Sequence, residues 1–124
     1  MKHLITKLFS TKRFSTNNRS VTVLLLSSLL SPVAGATIPV IEITIKDHLF
    51  YPAELLVPAD TKIKLLIYNN DPTPEEFESY ELNREKIITG NSRAVVFIGP
   101  LKPGTYPFFG EFYPKTAQGK ILVQ

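Results

Sequence analysis

From residue 40 onward the chain alternates between apolar and polar positions. Ile41, Ile43 and Ile45 interleave with Glu42, Thr44 and Lys46, and Ile63, Leu65 and Ile67 interleave with Lys62, Lys64 and Leu66. A period of two sends successive side chains to opposite faces, so both runs read as strands with one face buried. Glu54 to Val57, Lys86 to Thr89, Arg93 to Ile98, Thr105 to Phe109 and Lys120 to Gln124 are shorter runs of the same kind. Turn chemistry separates them, at Pro58 to Thr61, Gly90 to Ser92 and Gly99 to Gly104. Asp47 to Pro52 breaks the alternation and reads as a loop that turns Phe50 into the core, and Glu111 to Gly119 reads as a second loop. With 10 prolines and no convincing amphipathic helix, the pattern predicts an all-β sandwich of about seven short strands.

The stretch Asn69 to Lys86 is ambiguous by pattern. Thr73-Pro74-Glu75-Glu76 has the form of a helix N-cap, with proline at the first helical position and glutamate at the third. The same residues read equally as an extended segment, with Glu76, Glu78 and Tyr80 on one face and Phe77 anchoring the other. This stretch also holds Asp71, Glu75, Glu76, Glu78, Glu81 and Glu85, six of the 11 acids in the protein. Like charges this close are screened by water, offset by bases such as Arg84, Lys86 and Arg93, or neutralised by a cation.

Charge divides the chain. Residues 1–36 carry Lys2, Lys7, Lys12, Arg13 and Arg19 and no acid, so the net +3 combines a leader of +5 with a body of −2. The leader has a basic region, the apolar run Val21 to Leu30 and the small residues Ala34-Gly35-Ala36, the three parts of a secretory signal. It also has the acid-free, Ser- and Arg-containing look of an organelle transit peptide. Its apolar run is short of the roughly 20 residues a spanning helix needs. The expectation is a signal peptide over 1–36, a single domain over 37–124, and an exported, periplasmic location. A weakly acidic body without a Lys/Arg face argues against a nucleic-acid partner.

The chain has no cysteine. Disulfides, thiolate nucleophiles, redox dithiols and iron–sulfur ligation are therefore unavailable, and an apolar core must hold the domain. Met1 and His3 lie in the leader, which leaves His48 as the one histidine of the body. No Ser–His arrangement or paired acid and base beside a pocket is apparent, so the reading is of a protein that is not an enzyme.

Several runs resemble one family. Phe50-Tyr-Pro-Ala-Glu-Leu-Leu-Val-Pro-Ala-Asp-Thr-Lys-Ile63, Asn69-Asn-Asp71, Gly104-Thr-Tyr-Pro-Phe-Phe-Gly110 and Gly119-Lys-Ile-Leu-Val123 are similar to the cupredoxins. Asp-Pro-Thr-Pro-Glu-Glu-Phe-Glu-Ser79 and Gly-Pro-Leu-Lys-Pro-Gly104 resemble, more narrowly, the cupredoxin-like domains of exported bacterial proteins associated with high-affinity iron uptake. The resemblance implies a cupredoxin-like Greek-key β-sandwich. It also implies a metal site, which blue-copper members build from two His, one Cys and a Met. Carried over, the first His falls near Glu76, the Cys at Gly110, the second His at Tyr113 and the Met near Ala117, so a blue-copper electron carrier is not expected. The narrower family leads one to expect His at the Tyr113 position as well.

The same loops offer oxygen donors instead: Glu75, Glu76, Glu78, Glu111 and Tyr113. Oxygen donors suit hard cations, and a phenolate is a ligand for ferric iron. If consecutive strands reverse direction, Asp47 and His48 share an end of the sandwich with the acidic stretch. The expected metal ligands are thus Glu76, Glu78, Glu111, Tyr113, His48 and Asp47, the expected ion is iron or copper as Cu(II), and the implied partner is a membrane iron permease. The rival reading is a metal-free interaction module that docks on a membrane or periplasmic partner through its acidic loop.

Overall fold

A computed structural model describes Gly35 and residues 37–124, and the expected signal segment, Gly35 apart, lies outside the described residues. Nine strands run in chain order: β1 (Val40–Lys46), β2 (Leu49–Tyr51), β3 (Glu54–Val57), β4 (Ile63–Asn69), β5 (Glu75–Ser79), β6 (Arg84–Ile88), β7 (Ser92–Ile98), β8 (Gly104–Gly110) and β9 (Gln118–Val123). They form two sheets, one ordered β2-β1-β4-β7 and the other β3-β9-β8-β5-β6. The two strands beyond those expected are β2 and β5, and each has a local cause.

β2 was hidden by its turn. β1 pairs with it antiparallel, with Lys46 opposite Leu49, so Asp47 and His48 alone make the reversal. Both adopt left-handed backbone, with φ of 50° and 60°. A two-residue hairpin needs that conformation but favours Asn-Gly or Asp-Gly, which Asp-His does not resemble. β5 is extended rather than helical, with Glu75, Phe77 and Ser79 buried and Glu76 and Glu78 only partly so. The apparent cap at Thr73 loses to tertiary burial: Phe77 is 0% exposed, and only an extended chain places it inward on alternate positions with Glu75 and Ser79.

The core fills the space between the sheets. Ile43, Ile63, Leu65, Ile67 and Ile121 are fully buried, as the alternation predicted. Phe50 from one sheet meets Phe108 from the other edge-on, ring centres 5.1 Å apart, and Phe77 lies 5.1 Å from Phe108. Such pairs contribute about 0.5–1.5 kcal/mol beyond the area they bury. β1 and β4 run parallel with Ile45 opposite Asn69, so the β1–β2 turn and the loop after β4 emerge at the same end. The β8–β9 loop joins them there, where Tyr113 stacks on His48.

Candidate functional site

Strand parity sorts the acids. On β5, odd residues face the core and even ones face outward. β6 pairs antiparallel with β5, placing Glu78 opposite Glu85 and Glu76 opposite Ile87. Carboxylate oxygens of Glu76, Glu78 and Glu85 lie within 4.8 Å of one another. Glu111 is drawn alongside, because its N–H donates to the Glu76 carbonyl at 2.9 Å. Partial desolvation first, and then the charges of Glu85, Glu76 and Glu111, push the Glu78 carboxyl above its ordinary value of 4.5.

No ion pair within 4 Å engages Glu76, Glu78 or Glu85 among the described residues. Lys86 and Arg84 stand opposite Phe77 and Ser79 on the edge strand β6, out of register with Glu76 and Glu78. Arg84 spends its guanidinium on the carbonyls of Phe97 and Asn83, each at 2.9 Å. Arg93 sits in the other sheet, opposite Tyr68. Close ion pairs therefore do not offset Glu76, Glu78 or Glu85. A shallow depression lined by Glu78, Ser79, Tyr80, Asn83, Arg84 and Glu85 adjoins the cluster.

Of the expected ligands, the structure groups Glu76 and Glu78 and sets Glu111 near them. Glu85 was missed by sequence reasoning. The signal that finds it is the hairpin register, since Ser79 opposite Arg84 fixes Glu85 opposite Glu78. Asp47, His48 and Tyr113 go elsewhere. The N–H groups of Asp47 and His48 donate to Asp71, at 2.8 and 2.9 Å, and His48 stacks face to face on Tyr113 with ring centres 3.6 Å apart.

Asp71 is thus the hub of this end. Burial works to raise its pKa, but the two backbone donors and the charges of His48 and Lys46 outweigh it and hold the carboxyl below its usual value of 3.8. Its loop is pinned by Asn69, fully buried, whose amide nitrogen donates to the carbonyls of Thr73 at 2.8 Å and Ile88 at 3.0 Å. The Asn69 amide oxygen accepts the Asp71 N–H at 3.0 Å.

Glu75 is the acid turned inward, 1% exposed. Its Oε1 accepts the N–H groups of Glu76 at 2.9 Å and Phe112 at 3.1 Å, while its buried Oε2 has no donor. Gly110, Tyr113 and Ala117 come together beside it: the Gly110 N–H donates to the Ala117 carbonyl, and the Ala117 and Tyr113 N–H groups donate to the Tyr113 and Gly110 carbonyls. Glu75, not Glu76, is therefore the β5 residue that shares the interior with Gly110 and Ala117. The sequence placement was one residue out, which in a strand is the opposite face.

The chain matches the cupredoxin-like domain family over residues 19–123. It is 52% identical to an uncharacterised protein of Rickettsia prowazekii (strain Madrid E) over 83 residues, which is 67% of this chain and 66% of that protein. Among solved structures it is similar to auracyanin A, a blue copper protein of Chloroflexus aurantiacus, with a TM-score of 0.61 and 19% identity, covering 71% of this chain and 100% of that one. It is similar also to the metal-binding domain, with Cu(I), of the Cu(I)-exporting P-type ATPase of Streptococcus pneumoniae, with a TM-score of 0.62, 17% identity and coverages of 68% and 84%. A purple cupredoxin of Nitrosopumilus maritimus matches with a TM-score of 0.52, 18% identity and coverages of 67% and 98%. At these identities the structures share a fold, the two-sheet sandwich described above. The chain belongs to the cupredoxin-like domain family.

Proposed function

We propose that this protein is an exported, periplasmic accessory that holds a hard metal ion on the outer face of the β5–β6 hairpin and presents it to a membrane permease for iron uptake. The observation that carries the reading is the convergence of Glu76, Glu78 and Glu85 within 4.8 Å, with no ion pair to any of them among the described residues. Three carboxylates brought that close, with Glu111 alongside, supply the all-oxygen donor set that Fe(III) or Cu(II) takes at the hard end of its preferences. Bound there, the ion would neutralise the repulsion that raises the Glu78 pKa. The copper-binding neighbours on the same fold support a metal-related role, and the link to iron rests on the sequence resemblance. Blue-copper electron transfer is not part of the reading, because the chain has no cysteine to supply a thiolate.

Titration of the purified protein with Fe(III)-citrate and with Cu(II), followed by calorimetry, tests this. Saturable binding is expected, weakened by at least about tenfold in the triple variant Glu76→Gln, Glu78→Gln, Glu85→Gln, since each lost charge–charge contact contributes on the order of 1 kcal/mol. Equal binding by the two proteins would sink it.

A second reading has its own support. Tyr80 is 72% and Ile87 55% exposed, and Ile87 sits opposite Glu76 on the acidic face, giving the mixed apolar and charged surface of a docking patch. Capture of a membrane partner that persists in chelator but is lost in the triple variant would favour this metal-free interaction module.

A further inference from the structure

The interior cluster around Glu75 was absorbed by neither reading. It lies where the resemblance puts the copper ligands of this fold. A β-carbon added at Gly110 would stand 2.7 Å from both Cδ and Oε2 of Glu75 and 2.8 Å from the Ala117 methyl. Real β-carbons do not approach so closely, so the space beside Gly110 is already filled by the Glu75 carboxyl. Ala117 is 0% exposed and offers no lone pair. Tyr113 is 37% exposed with its ring stacked on His48, and Glu75 is not in the group of acids that converges among the described residues. Thiolate, imidazole and thioether are all missing from the positions where the resemblance puts the copper ligands, and the space beside Gly110 is filled.

We propose that Glu75 takes the place of a metal as the tie between β5 and the β8–β9 loop, so that the inner end of this sandwich is closed to ions. A metal in such a position joins a residue of one strand to residues of the loop across from it. Here a single carboxyl oxygen does so, through the Phe112 N–H on the loop side and the Glu76 N–H on its own strand. A side chain at position 110 would collide with the Glu75 carboxyl and the Ala117 methyl, which accounts for the glycine there. The orphaned Oε2 is the oxygen turned toward Gly110, a residue with no side chain to donate to it. Any ion this protein carries is then held elsewhere, and Glu75 is a positioning residue for the loop that bears Glu111 and Tyr113.

The test combines two measurements on isotope-labelled protein. Hydrogen exchange at the Phe112 amide is expected to be about tenfold faster in Glu75→Leu, which keeps the bulk and loses both oxygens, and close to wild type in Glu75→Gln, which keeps the acceptor. Unchanged protection in Glu75→Leu would overturn the proposal. Separately, Cu(I) and Zn(II), both diamagnetic, are titrated into the wild type while the amide resonances of Gly110, Phe112 and Ala117 are followed. These are expected to stay fixed; saturable shifts there that disappear in Glu75→Gln would make Glu75 a ligand and overturn the proposal even if Glu75→Leu failed to fold. Shifts confined to Glu76, Glu78 and Glu85 support both this inference and the outer ion site. No shift at any residue also supports the inference, and the outer hard-ion site is then decided by the Fe(III)-citrate and Cu(II) titration alone.

Discussion

Two groups of acids stand within one short stretch of chain and behave in opposite ways. Asp71 and Glu75 are buried, at 4% and 1% exposure, and each has a carboxyl oxygen that receives backbone N–H groups from a neighbouring turn or loop. Glu76, Glu78 and Glu85 face outward, draw no base among the described residues, and repel one another. The inward pair is used as architecture, fastening the turn and loop that extend just beyond the β1–β4 and β5–β8 ladders. The outward set stores unfavourable charge that an ion or a basic partner would relieve. What looked like one acidic loop is a structural device and a charged outer face separated by the thickness of a strand.

The largest effect expected from breaking this division falls on the inward side. Asp71→Ala removes the acceptor for both N–H groups of the left-handed Asp47–His48 turn. Hydrogen bonds to a charged acceptor are worth roughly 1.5–3 kcal/mol each, so a loss of about 3 kcal/mol is expected in urea unfolding. A loss below about 0.5 kcal/mol, the range of ordinary surface changes, would mean the turn holds itself. Gly110→Ala comes next. Its methyl would stand 2.7 Å from the Glu75 carboxyl, and overpacking of this kind costs about 1–3 kcal/mol. A variant as stable as wild type would show that Glu75 has room to move, and the inward group would lose its rigid character.

Acid titration separates the two groups without mutation. Asp71 has a folded pKa below its ordinary 3.8, so its contribution is fully present above that value and is lost as pH falls through the depressed one. Glu78 has the opposite sign. Its folded pKa lies above the ordinary 4.5, so its charge costs stability at neutral pH, and that cost is relieved as pH falls through the raised value toward 4.5. Stability measured by thermal unfolding should therefore rise slightly on mild acidification and fall only below about 3.8. A monotonic decline from neutral pH would mean the outward acids do not interact in the folded state.

The alternating runs made most of the sandwich legible, because β1, β4, β7, β8 and β9 each bury one face and period two records it. β2 was not legible, since its turn takes an Asp-His pair whose left-handed backbone is held by Asp71, 23 residues from His48 in sequence. β5 was legible only as an alternative, because a local capping pattern at Thr73 competed with the burial of Phe77. The site followed the same rule. Glu76 and Glu78 could be placed together from their spacing, whereas Glu85 depended on the β5–β6 register and Glu75 on knowing which parity faced Gly110. Asp47, His48 and Tyr113 were placed at the correct end, and their hydrogen bonds and stacking turn them to Asp71 and to each other.

The smallest expected effect is also the most direct probe of the outward face. Glu85 is the largest charge contribution to the raised Glu78 pKa, ahead of Glu76 and Glu111, and stands directly across the ladder from it. Glu85→Gln removes that charge with little change of shape. The Glu78 carboxyl, followed by its side-chain carbon resonance across pH, should then titrate closer to 4.5 than in the wild type, while partial desolvation keeps it from returning fully. The melting temperature should rise marginally at low ionic strength, and the gain should shrink at 1 M salt, where the screening length is about 3 Å. If Glu78 titrates identically in both proteins, these carboxylates fan apart into water and already satisfy one another's needs for space. If it shifts as expected, three charges are being held closer than water alone would leave them, which is the condition an ion-binding face must meet before any ion arrives.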